Sequence, residues 1–187
     1  MPILDERLER LIDERPALDQ ILTDTLNSNG APPRSGFAAL KPEILVTDFS
    51  SSLRHWCEIF GFNIAYQRPE EKFSYLERDE GAQVMLSQRH DNQKWEIGPL
   101  TPPFGRGVMF QISVKSVEPI IAAMTAHNIE PYDIPHSDDD GNPIPNPREI
   151  WRDVGDRQGG AIEYFALDPD GYLIMFSQDL GYRPLES

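Results

Sequence analysis

The sequence predicts an α+β fold of two tandem βαβββ modules that form a curled mixed-sheet cleft, preceded by an N-terminal helical arm. Three observations carry that expectation. The stretch KPEILVTDFSSSLRHWCEIFGFNIAYQ, residues 41–67, reads as strand, amphipathic helix, glycine stop and strand. About 66 positions later GVMFQISVKSVEPIIAAMTAHNIEPYDI, residues 107–134, presents the same order. Each unit then runs on into further strands, the second closing with EYFALDPDGYLIMF, residues 163–176. Duplication of one supersecondary unit is the simplest source of such a pattern.

The elements follow in order. Leu4, Leu8, Leu11 and Ile12 fall on one face of a helix. Pro16 interrupts that helix and suits the first turn of a second one through Leu18, Ile21, Leu22 and Leu26. Asn27 to Gly30 stop it, and residues 31–36 read as a linker, so residues 1–36 are expected to form an arm and 37–187 the main domain, with modules at about 38–90 and 105–178. In the first module Ile44 and Val46 mark a strand, Leu53, Trp56, Cys57 and Phe60 line one helix face, Gly61 ends the helix, and a strand starts at Phe62. KFSYLERD and AQVMLSQR then flank the turn Asp79-Glu80-Gly81. In the second module a strand is expected over 107–114, a helix near 116–127 and a strand from Ile129. A loop from Pro135 to Arg157 leads into a hairpin turned by Asp168-Pro169-Asp170-Gly171, where Pro169 presets φ and Gly171 supplies a positive one.

Charge narrows the function. Against 31 Asp and Glu the chain has 17 Lys and Arg, a formal net charge of -14, which repels phosphate backbones and favours a cationic partner. A single cysteine, Cys57, excludes an internal disulfide, and no apolar run of membrane-spanning length or basic-then-apolar leader is present. The expectation is a soluble cytoplasmic protein with neither nucleic acid nor membrane as partner.

The strand-Thr47-Asp48 corner, the Ser-Ser-Ser run, the aromatic helix ending in Phe60-Gly61-Phe62 and the closing EYFALDPDGYLI together resemble the vicinal oxygen chelate superfamily over roughly residues 38–178. That superfamily includes glyoxalase I, extradiol dioxygenases and the bleomycin-resistance proteins. The resemblance implies paired βαβββ units around a cleft. In its enzymes it also implies a divalent metal held by His at the start of each first strand and a carboxylate in each last strand. Those places fall here on Lys41, Gly107, Met85 and Met175, none of them a ligand for a hard cation. No metal and no cofactor are therefore expected.

Other constellations are weaker. Asp138-Asp139-Asp140-Gly141-Asn142 lacks the ligand spacing of a calcium loop and reads as a solvated acidic turn. Cys57 sits on the apolar helix face as a packed thiol, and Gly105-Arg106-Gly107 precedes a strand and not a helix. What remains is ligand sequestration of the bleomycin-resistance type. The expected binding residues are the aromatic side chains Trp151, Trp95, Phe104 and Tyr164, with Glu149 and Asp153 supplying negative charge. They belong to or flank a loop carrying 6 acids and 3 arginines over residues 135–157. The expected partner is a cationic or aromatic small molecule, a cationic glycopeptide antibiotic being the type ligand, bound by a homodimer. The alternative is a metal-dependent enzyme on the same fold with atypical ligands such as Glu43, His90, His136 or Glu163.

Overall fold

The computed structural model describes residues 33–90, 96–138 and 140–185. The helices expected over the first 30 residues lie outside that range, as does Trp95. The first module comprises β1 (Glu43–Val46), α1 (Phe49–Arg54), β2 (Asn63–Arg68), β3 (Phe73–Glu77) and β4 (Gln83–Gln88). The second comprises β5 (Met109–Val114), α2 (Glu118–Ala126), β6 (Arg148–Val154), β7 (Arg157–Leu167) and β8 (Leu173–Pro184). The strand orders are β1-β4-β3-β2 and β5-β8-β7-β6. In both sheets the first and last strands pair parallel and the remaining neighbours antiparallel. The α+β fold of two βαβββ units is thus present, built as two open four-stranded sheets. No helix among the described residues is long and apolar enough to cross a membrane.

Local chemistry sets the helix limits. Asp48 has an extended backbone and its carboxylate accepts the Ser51 N–H, capping α1 at its start. A π-helical turn over His55–Ile59 prolongs the helix, and Gly61, at φ +69°, ends it. Leu53, Trp56, Cys57 and Phe60 are buried as their spacing predicts. In the first sheet Ile44, Val46, Leu76, Val84 and Leu86 are buried in the core with α1, and the alternation of a strand sends Phe73, Tyr75, Glu77, Gln83, Met85 and Ser87 to the other, helix-free face. One apolar cluster joins the modules, with Phe60 and Phe176 at 5.1 Å.

The Asp168-Pro169-Asp170-Gly171 turn is the clasp between the modules. Asp168 Oδ1 accepts the N–H groups of Asp170 and Tyr172, shaping the turn, while Oδ2 accepts Trp56 Nε1–H at 3.1 Å. Asp170 reaches further: Oδ1 accepts the Thr47 N–H at 2.9 Å and Oδ2 the Ser52 hydroxyl at 3.0 Å. Both carboxylates are 4% exposed, so these bonds form away from water, where they matter most. Burial pushes the Asp168 carboxyl up to about 6 against the opposing pull of its N–H donors.

The second module departs from its expected outline in one place. Residues 129–147 form no strand of the sheet, and β6 begins only at Arg148. Pro131, Pro135, Pro143, Pro145 and Pro147 recur through that stretch, and each removes a ladder donor. The loop is instead pinned by Asn146, whose Oδ1 accepts the Phe165 N–H and whose Nδ2 donates to the carbonyls of Phe165 and Tyr132. Trp151, expected in the loop, lies in β6. With 11 and 12 residues, β7 and β8 outrun the 5 and 6 of β3 and β4, so β6, β7 and β8 extend as a three-stranded tongue.

Candidate functional site

A cavity of about 450 Å³ opens where β1 of the first module approaches the beginning of β5. It is lined by Pro42 to Leu45, Glu96 to Leu100, Phe104, Val108, Phe110 and Tyr172. Backbone bonds fix this geometry. The Phe104 N–H bonds to the Asp170 carbonyl at 2.8 Å, and the Tyr172 hydroxyl donates to the Leu45 carbonyl at 3.1 Å. Gly105 is required here, because a Cβ would lie 2.3 Å from the Gly171 carbonyl oxygen. Phe110 and Tyr172 meet at 6.1 Å in a tilted ring pair.

Two carboxylates stand on the lining. Glu43 is exposed and accepts the Ser87 hydroxyl at 2.6 Å, which orients it and leaves lone pairs over. Glu96 is held by Arg89 through two bonds of 3.0 and 2.7 Å, and that hydrogen bonding holds its carboxyl below the usual range. An apolar, aromatic-walled hollow with an oriented carboxylate at its rim suits a ligand that has a planar apolar part and a positive charge.

Of the six residues expected to bind ligand, Phe104 lines this cavity and Trp95 lies outside the described residues. The other four are elsewhere. Tyr164 is 3% exposed and its hydroxyl donates to Met124 Sδ at 3.2 Å, inside the core. Glu149, Trp151 and Asp153 alternate along β6 on the face opposite Arg148, Ile150 and Arg152. There Trp151 already has a cation, with the Arg183 guanidinium 4.2 Å from its ring centre, while Gly160 receives the ring so closely that a Cβ would lie 2.5 Å from it. Its indole N–H donates to Glu149 at 2.7 Å, and Asp153 accepts Gln158 Nε2 at 2.9 Å. Sequence reasoning named Glu43 only as an atypical metal ligand and missed Phe110 and Tyr172; the convergence of the three depends on how the two modules dock.

In the strand registers Met85 stands beside Glu43 and Met175 beside Gln111, while Lys41 precedes β1 and Gly107 precedes β5. One carboxylate, one amide and two thioethers do not fit a hard divalent cation. Glu163, the buried acid of β7, gives one oxygen to Arg148, at 2.9 and 2.6 Å, and the other to Arg152 at 2.9 Å. His90 and His136 are exposed, and no three His, Cys, Asp or Glu among the described residues are grouped to hold an ion. The acidic turn closes on itself: Asp138 accepts the N–H groups of Asp140 and Asn142.

The family model for the Glyoxalase/Bleomycin resistance protein/Dioxygenase superfamily matches residues 38–176. The chain belongs to that superfamily. Among solved structures, a virulence protein of Salmonella typhimurium shares 16% identity at a TM-score of 0.51, covering 76% of this chain and 96% of its own. A protein from the mobile metagenome of V. pseudocholerae shares 12% identity, also at 0.51, over 76% of this chain and 95% of that one. A bleomycin resistance determinant encoded on the transposon Tn5 aligns at 14% identity and a TM-score of 0.44, over 77% and 99%. At such identities the likeness is one of fold. No curated protein matches the chain.

Proposed function

We propose that this superfamily member is a small-molecule binding protein that works without a metal and takes the planar end of a cationic aromatic compound into the cavity between β1 and β5. The observation that carries the proposal is the cavity itself: Phe104, Phe110 and Tyr172 beside the oriented carboxylate of Glu43. Its volume, about 450 Å³, admits a fused ring system and leaves the remainder of a glycopeptide outside, near the carboxylate. The formal charge of -14 favours capture of a cation from solution, an effect that weakens with salt. Pairing of two chains is part of the proposal, as is a cytoplasmic site of action.

Titration calorimetry with bleomycin and with smaller planar cations tests the reading. Saturable binding is expected, weakened about tenfold by Phe104→Ala and several-fold by Glu43→Gln, the second loss shrinking at high salt. Absence of heat and of a thermal shift with every such compound at about 1 mM would sink it.

A further inference from the structure

Residues 96–100 carry part of the cavity lining on a loop that is pinned from both ends. Glu96 accepts two bonds from the Arg89 guanidinium and the Leu100 N–H as well, which closes the loop on itself. Leu100 packs against the core, and the residue after it, Thr101, accepts Arg106 Nη2–H through its carbonyl and its hydroxyl, each at 3.0 Å. Ile97 stands on this loop wholly exposed, so its side chain adds nothing to the packing of its own domain. Pro99 is exposed beside it. Val108 is 45% exposed on a tight turn that its N–H closes to the Gly105 carbonyl at 3.0 Å. All three side chains line the cavity between β1 and β5.

One exposed apolar residue is ordinary on a protein surface, but three that line one hollow form a patch. Hydrogen bonds fix the backbone beneath them, so covering them costs little ordering. On the same lining Glu43 supplies an oriented negative charge. The cavity therefore offers a carboxylate and an aliphatic edge together, and a ligand that satisfies both carries a positive charge and an alkyl arm on one planar body. We infer, on the reading of the cavity as a site for planar cations, that Ile97, with Pro99 and Val108, is its specificity-determining edge and selects cations whose ring system bears an aliphatic substituent. Ring contacts with Phe104, Phe110 and Tyr172 and the charge of Glu43 cannot give that preference, because neither stacking nor attraction measures the length of an alkyl chain.

The test is titration calorimetry of the full chain with two N-alkyl acridinium cations that differ only in the alkyl group, methyl against butyl. The butyl compound is expected to bind about tenfold more tightly, the gain for three methylenes half removed from water. In Ile97→Ser that ratio should fall to about twofold, while Ile97→Leu, which keeps an apolar side chain of the same size, should preserve it. Neither replacement should move the melting temperature without ligand, because the side chain is exposed. A ratio near one in the unaltered chain, or a tenfold ratio that survives Ile97→Ser, would overturn the inference and leave the cavity standing as a site for planar cations. Loss of self-association in Ile97→Ser with the ratio unchanged would overturn it as well, by assigning the edge to a second copy of the chain. Absence of heat with both compounds would remove the reading of the cavity itself and this selectivity with it.

Discussion

The two modules share strand order and pairing sense, yet their helix-free faces are used in opposite ways. In the first, the buried carboxylate of Glu77 turns outward to the Arg34 N–H and the Ser35 hydroxyl, and a segment from outside the module crosses the sheet. In the second, the buried carboxylate of Glu163 is consumed within its own sheet by Arg148 and Arg152, and Met109 on the edge strand β5 is 48% exposed. Duplication of a βαβββ unit therefore repeats the frame and leaves the chemistry of each face to a few alternating positions. Glu77 is met by the N–H and the guanidinium of Arg34 from the crossing segment, Glu163 by two arginines of its own sheet.

The largest test of that contrast is to remove both acids. Glu163→Ala leaves Arg148, 24% exposed, without its anion and should cost about 3 kcal/mol, because breaking a buried pair strands a charge. Glu77→Ala releases a surface segment and should cost about 1 kcal/mol. Urea unfolding of the two variants measures the difference, and equal losses would erase the distinction between the faces.

Acidity separates the modules next. His55, with no partner for Nε2 among the described residues, is lowered by burial, and secondarily by His127, from 6.5 to about 4. The folded first module resists that proton, so stability from this group is present above pH 6.5 and falls as the pH drops toward 4. Asp168 in the second module runs the other way. Its pKa is raised from 3.8 to about 6, so its contribution is full below 3.8 and declines as the pH rises through 6. The two oppose each other over the same window, each by up to about 3 kcal/mol, and the unaltered protein should show little change in denaturation midpoint there. Asp168→Asn should expose a loss of stability on acidification and His55→Phe a gain. A steep dependence in the unaltered protein would mean that one of the two titrates near its ordinary value.

The tongue gives a smaller effect. Gly160→Ala drives a Cβ to 2.5 Å from Trp151 and should cost about 2 kcal/mol through overpacking. Trp151→Ala should lower the melting temperature to a similar degree with ligand or without it, since its ring lies between Gly160 and Arg183. A fall in ligand affinity with unchanged melting temperature would restore Trp151 to the binding site. Smallest of all, Phe37→Ala should change stability by about 0.5 kcal/mol, the edge contact with Tyr75 being largely solvated.

Local signals made much of the frame legible in advance. Asp48 before a serine run caps α1, Gly61 stops it, Gly81 and Gly171 turn hairpins at positive φ, and strand alternation places Val46, Leu86 and Ile174 in the core. Each depends on neighbours within a few residues, where backbone sterics and periodicity act directly. Locally read, Ile129 promised a strand and Trp151 a loop. The prolines between them and the hold of Asn146 on Phe165 reversed both assignments.

The sequence by itself determined two repeated βαβββ units and a formal net charge of -14. Only the tertiary structure decided that Glu43, Phe104, Phe110 and Tyr172 meet in one cavity, that Arg183 already covers Trp151, and that Gln83 holds residues 36 and 38. The physical reason is separation along the chain. Capping, turning and alternation are contacts among near neighbours and leave a pattern in the sequence. A carboxylate of Asp170 that bonds Thr47 and Ser52, more than a hundred residues away, leaves none until the modules are docked.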